Sequence, residues 1–114
     1  MLSIQNVNMR TFEYKHNCKK FNFELNQEAF STLQYKTVIM LKLIDTSLSA
    51  SEIHEFIYNF KRLIALDLSG NDMSTIDNLK EPGRLKNLTW LKLYKNPINC
   101  TVCSTLENVS NMSV

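Results

Sequence analysis

Leucines recur along this chain with a 25-residue step. VIMLKLIDT starts at Val38, LIALDLSGN at Leu63 and LTWLKLYKN at Leu88. Aligned, the apolar columns are Val38/Leu63/Leu88, Leu41/Leu66/Leu91, Leu43/Leu68/Leu93 and Leu48/Met73/Ile98, and one polar column reads Thr46/Asn71/Asn96. Leu66 and Leu68 alternate with Asp67, the period of a strand with one face buried. One such unit cannot bury its own apolar side, so the copies are expected to stack. Asn71 and Asn96 stand where the chain must turn. A buried carboxamide there offers two donors to neighbouring backbone, whereas Thr46 has a single hydroxyl. The copy carrying Thr46 is therefore expected to be the less well satisfied one.

A weaker copy lies upstream. In MRTFEYKHN, Met9, Phe12, Tyr14 and Asn17 keep the same relative spacing with aromatics for leucines. The extra length that follows falls in FNFELNQEAFSTLQYK, where Phe30 and Leu33 are expected on the far side of the unit. The segments returning from each strand differ. SASEIHEFIYNFKR opens with Ser49 and places Glu52 three residues later, a capping box. Ile53, Phe56, Ile57 and Phe60 follow at helical spacing, which predicts a helix from Ala50 to Arg62. STIDNLKEPGRLKN carries Ile76, Leu79 and Leu85 but is broken by Pro82 and Gly83, which predicts a short helical turn and then a loop.

The three copies spell LxxLxLxxNxL, and the chain on that ground resembles the leucine-rich-repeat family. The resemblance implies an α/β solenoid with short parallel β-strands on the concave face and helix or turn returns on the convex face. It divides the chain, as one domain of residues 1–114, into repeats near 9–37 (degenerate), 38–62, 63–87 and 88–103, with a tail at 104–114. The insertion around Glu81-Pro82-Gly83 is similar to the short repeats of the SDS22-like class. NPINCTVC, from Asn96 to Cys103, resembles the opening of the cysteine-rich cap of extracellular members such as the Toll-like and insect recognition proteins. It departs from their NPxxCxC pattern by one extra residue between the cysteines, and the further cysteines of such a cap are missing.

Composition narrows the picture. At 114 residues with 44% apolar side chains the chain holds one small core, and a net charge of +2 with interleaved signs contains no polybasic block for nucleic acid. No apolar run approaches the length of a membrane span. The N-terminal MLSIQNVNMRTFEYK lacks the apolar stretch of a secretory signal. It enters repeat-like sequence without a polar cap, and the last strand motif ends near Asn96. Uncapped ends of this kind predict a fragment of a longer protein, a truncated product without independent function, or a protomer that covers its ends by self-association.

Candidate chemistry is sparse. Cys100 and Cys103 form a lone CxxC, which by itself is no zinc site. His16 and Cys18 lie three units away, roughly 14 Å at ~4.8 Å per strand, so no metal set is assembled. His16 and His54 have no nucleophile or carboxylate constellation, and HExxH, GxSxG and a Gly-rich phosphate loop are absent from the sequence. His54 is expected to be a solvated helix residue. The sequence therefore predicts no enzyme, no catalytic residue and no cofactor. Sequons at Asn87, Asn99, Asn108 and Asn111 are candidate glycosylation sites, all in the last quarter of the chain. With the cap-like NPINC they lean towards an extracellular parent, and the missing signal peptide leans back.

The residues between core leucines define the binding candidates. One outward column reads Glu13, Lys42, Asp67, Lys92, and its alternating signs are expected to stabilise by roughly 0.2–1 kcal/mol per lateral pair. The flanking columns read Thr11, Met40, Ala65, Trp90 and Lys15, Ile44, Ser69, Tyr94. Met40, Lys42, Ile44, Asp67, Ser69, Trp90, Lys92 and Tyr94 are the expected partner-binding set, with Trp90 and Tyr94 as anchors. Alternatively, those two aromatics would lie under a C-terminal cap. A protein or peptide partner on the strand face follows from the family resemblance, in an extracellular recognition role or, alternatively, as an intracellular adaptor or scaffold.

Overall fold

The computed structural model describes residues 10–15, 36–80, 85–98 and 111–113. Within them the protein is an α/β structure built on one parallel sheet. Its strands are β1 (Thr11–Lys15), β2 (Met40–Ile44), β3 (Ala65–Asp67), β4 (Trp90–Lys92) and β5 (Asn111–Ser113), and they lie in chain order. The register follows the sequence alignment: Leu41, Leu66 and Leu91 are side by side, as are Lys42, Asp67 and Lys92. Phe12 and Tyr14 pair with Leu41 and Leu43, so the degenerate upstream copy supplies a true strand. Met9, Asn17, Phe30 and Leu33 lie outside the described residues.

Backbone hydrogen bonds repeat with the same step. The carbonyl of Ile39 accepts from Ile64 and Ala65, and that of Ile64 accepts from Thr89 and Trp90, at 2.8–3.2 Å. Side chains pointing inward from the strands form the core. Val38, Leu41, Leu43, Leu63, Leu66, Leu68, Leu88, Leu91 and Leu93 are all buried, with Leu48 and Met73 beyond them. Each fully buried leucine contributes about 1.5–3 kcal/mol relative to staying in water.

The returning segments close the other side of this core. Helix α1 (Ala50–Ile57) starts with the capping box: Ser49 Oγ accepts from the Glu52 N–H, and Glu52 Oε1 accepts from the Ser49 N–H at 3.3 Å. Ile53, Phe56 and Ile57 are its buried stripe. The helix stops five residues short of the expected Arg62. The Asn59 carboxamide donates to the carbonyls of Glu55 and Phe56, ending the helical ladder, and Phe60 enters the core from the turn beyond, edge-on to Phe56 at 5.3 Å. The next return makes one 3-10 turn, Asp77–Lys80, which buries Leu79 beside Ile76. Pro82 and Gly83 lie outside the described residues.

β5 corrects the sequence reading of 104–114 as a tail. Residues 111–113 add a strand alongside β4, with Trp90 beside Asn111 and Lys92 beside Ser113. The reason is physical: the alternation in NMS, with Met112 beside Leu91, is only three residues long and lies off the 25-residue step, and the strand joins through backbone bonds such as Leu93 N–H to the Ser113 carbonyl at 2.7 Å.

Two polar features hold successive units in place. The first is the asparagine at the turn. Asn71 Nδ2 donates to the Leu43 carbonyl of the preceding unit (2.7 Å) and to its own Leu68 carbonyl (2.9 Å), and its Oδ1 accepts from the Leu48 N–H (3.0 Å). Asn96 repeats all three contacts one unit later, with Leu68, Leu93 and Met73 as partners. Thr46 uses its single hydroxyl differently from the asparagines, donating forward into the next unit. Its N–H and its hydroxyl both donate to Asn71 Oδ1, at 3.2 and 2.7 Å.

The second feature is a left-handed residue directly before each member of that column. Asp45, Gly70 and Lys95 have φ of 54°, 72° and 56°. This conformation costs an ordinary residue roughly 1–2 kcal/mol, and glycine almost nothing. Gly70 is also required sterically, because a Cβ there would overlap the Asp45 carboxylate and come within 3.1 Å of the Asp45 Cα.

Two outcomes follow for stability. Asn71→Ala is expected to cost about 3–5 kcal/mol, since it orphans buried donors and acceptors in two units, and Asn96→Ala, with fewer partners, less. Equal costs in urea titrations would contradict this ordering. Gly70→Ala is expected to cost roughly 2–4 kcal/mol. Adding Asp45→Gly should return part of that loss by removing the overlap, which a double-mutant cycle on unfolding midpoints will measure.

Candidate functional site

Alternation along the strands sends every second side chain away from the core. On β2 these are Met40, Lys42 and Ile44, on β3 Ala65 and Asp67, and on β4 Trp90 and Lys92. Ser69 and Tyr94 continue their strands into the turns. The Asp45 N–H donates to the Ser69 carbonyl and the Gly70 N–H to that of Tyr94, which keeps Ile44, Ser69 and Tyr94 alongside each other. All eight residues expected from the sequence thus stand on one face, brought together by the register.

Their exposure differs strand by strand. Thr11, Glu13 and Lys15 on β1 are exposed, and Met40, Lys42, Ile44, Trp90 and Lys92 are half-buried. Ala65 and Asp67, between the larger side chains of β2 and β4, are each only 6% exposed, whereas Tyr94 is 45% exposed. The face therefore has a low centre over β3 and higher banks on either side. Ala65 belongs to this arrangement but was not in the expected set. The small residue between Met40 and Trp90 in its column was the available signal.

The charged column falls in register, Glu13 beside Lys42, Lys42 beside Asp67, and Asp67 beside Lys92. Two of its members also have local work. Asp67 Oδ1 accepts from the Ser69 N–H at 3.0 Å, fixing the bend after β3. Lys92 Nζ lies 5.3 Å from the centroid of the Tyr94 ring, a cation–π contact. The Ser69 hydroxyl is buried and has no hydrogen-bond partner among the described residues.

Other sequence candidates fall elsewhere. His54 is half-buried on α1 with its ring edge-on to Tyr58 at 4.5 Å, so it is a packed residue and not the solvated one expected. Among the described residues no group of three or more His, Cys, Asp or Glu side chains stands together as metal ligands. No helix among them is long and apolar enough to cross a membrane. Asn87 is exposed in the turn before β4, and Asn111 lies in β5 beside Trp90. His16, Cys18, Asn99, Cys100, Cys103 and Asn108 lie outside the described residues. In comparisons with known proteins, no family model, no curated protein and no solved structure matches this chain.

The unpaired hydroxyl gives a direct test of the geometry at this face. A buried donor without an acceptor is a cost to the fold. Ser69→Ala should leave stability unchanged or raise it by up to about 1 kcal/mol, read from urea unfolding. A loss larger than that would mean the hydroxyl is bonded within the folded chain.

Proposed function

We propose that this chain is a non-catalytic protein-interaction module of the leucine-rich-repeat type. Its units stack as a solenoid, and the strand face receives a protein or peptide segment. The observation that carries the reading is the outward face of β2, β3 and β4, where Trp90 and Tyr94 share a rigid, in-register surface with Met40, Ile44 and two lysines. Aromatic side chains on a preorganised surface lose little conformational freedom on binding, and for that reason they dominate protein interfaces. The repeat of the same contacts at Asn71 and Asn96 supports the stacked arrangement. Binding of this kind uses shape and side-chain chemistry alone and needs neither metal nor cofactor.

β5 also bears on the choice between an interface and a cap. Trp90 already has a neighbouring strand on each side and remains half-exposed. That observation favours Trp90 as a contact residue over Trp90 as a foundation for further covering structure.

Selection from a displayed random-peptide library tests the proposal. Binders of the wild-type chain are expected to lose at least about tenfold in affinity for the Trp90→Ala/Tyr94→Ala variant, with little change in melting temperature. A selection that yields no binders, or binders indifferent to the two alanines, would sink it.

A further inference from the structure

The low centre of the strand face is a trough along β3, floored by Ala65, Asp67 and Ser69. Met40, Lys42 and Ile44 form one bank, and Trp90, Lys92 and Tyr94 the other. Its charges are not balanced towards solvent. Asp67 is 6% exposed, and one of its carboxylate oxygens is already taken by the Ser69 N–H. The other acid of the column, Glu13, sits on β1, on the far side of Lys42. What a molecule entering the trough meets is therefore Lys42 on one bank and Lys92 on the other, roughly 10 Å apart across two strand spacings. Lys92 is steadied there by the Tyr94 ring. At the same end the Ser69 hydroxyl is a donor with no acceptor among the described residues.

We infer that the trough takes an extended acidic segment of a partner protein. The segment runs along β3, its carboxylates meet Lys42 and Lys92, and its apolar side chains rest on Met40, Ile44 and Trp90. Charge complementarity selects this occupant: the recessed Asp67 repels little, while the two lysines favour anions and disfavour a basic strand. The inference rests on the proposed peptide-binding role of this face and adds the chemical class of the partner.

Fluorescence anisotropy with three labelled peptides of about twelve residues tests it. The peptides share the same Leu and Tyr content and carry Glu, Gln or Lys at alternate positions. An oligothymidine of matching negative charge is the fourth probe. The Glu peptide should bind the wild-type chain about tenfold tighter than the Gln peptide, weakening as salt rises, and the Lys peptide should bind least. Lys42→Glu/Lys92→Glu should reverse that order. Lys42→Gln/Lys92→Gln, which serves should the reversal fail to fold, should abolish the preference. Equal binding of the Glu and Gln peptides, or a Glu preference that survives in either variant, overturns the acidic occupant and leaves peptide binding standing. Oligothymidine bound as tightly as the Glu peptide overturns it in favour of a polyanion site. Failure of all three peptides to bind brings down the peptide-binding role as well.

Discussion

The turn after each strand is where this fold is decided, and the deciding interaction is the buried carboxamide of Asn71. A chain that bends sharply into its own core leaves backbone N–H and C=O groups with no water to satisfy them. One asparagine resolves this for two units at once. It donates backwards to Leu43 and locally to Leu68, and it accepts from Leu48 and Thr46. Leu68 then accepts from Asn96 as well, so a single carbonyl joins two consecutive links. Hydrophobic burial supplies most of the stabilisation and already disfavours a one-residue slip, which would turn the leucines of a strand out to solvent. The amide contacts reinforce that choice, because the same slip would orphan them.

The same turns show how adjacent positions share that constraint. Each member of the column directly follows a left-handed residue, which turns the backbone at that point. Asp45 and Lys95 accept the conformational cost, and Gly70 avoids it. Gly70 stands where the Asp45 side chain folds over it, so the tolerance of one unit is linked to the side chain of the next. Local conformation and stacking are thus a single requirement seen at two scales.

Much of this was legible in the sequence. The leucine columns predicted which residues lie side by side, and Ser49 with Glu52 predicted where α1 begins. Period and capping are local properties, and local properties survive in a linear text. What was missed depends on contacts between distant residues. The helix ends at Ile57 because of an asparagine side chain, although the apolar stripe runs on to Phe60. β5 places Met112 beside Leu91, but off the 25-residue step and in too short a run for spacing to reveal it. Asp67 is buried by the bulk of residues on β2 and β4, which alternation within its own strand could not reveal. Thr46 donates forward to Asn71, a contact invisible from either copy alone.

These contacts also shape the outward face. In a column of alternating charge, each acid can serve either the register or an incoming partner, and burial decides which. Asp67 lies low between taller neighbours and is tied to the Ser69 N–H, so its charge is spent inside the protein. Lys42 and Lys92 gain from its field without being neutralised at their solvent-facing ends, and their long stems let the ammonium groups stay in water while the carbons line the banks. A column that would be neutral on paper therefore presents a basic, aromatic-edged trough. The recess arises from residue size at Ala65, Asp67 and Ser69, not from any special backbone. Beneath this surface the asparagine turns hold the sheet in register.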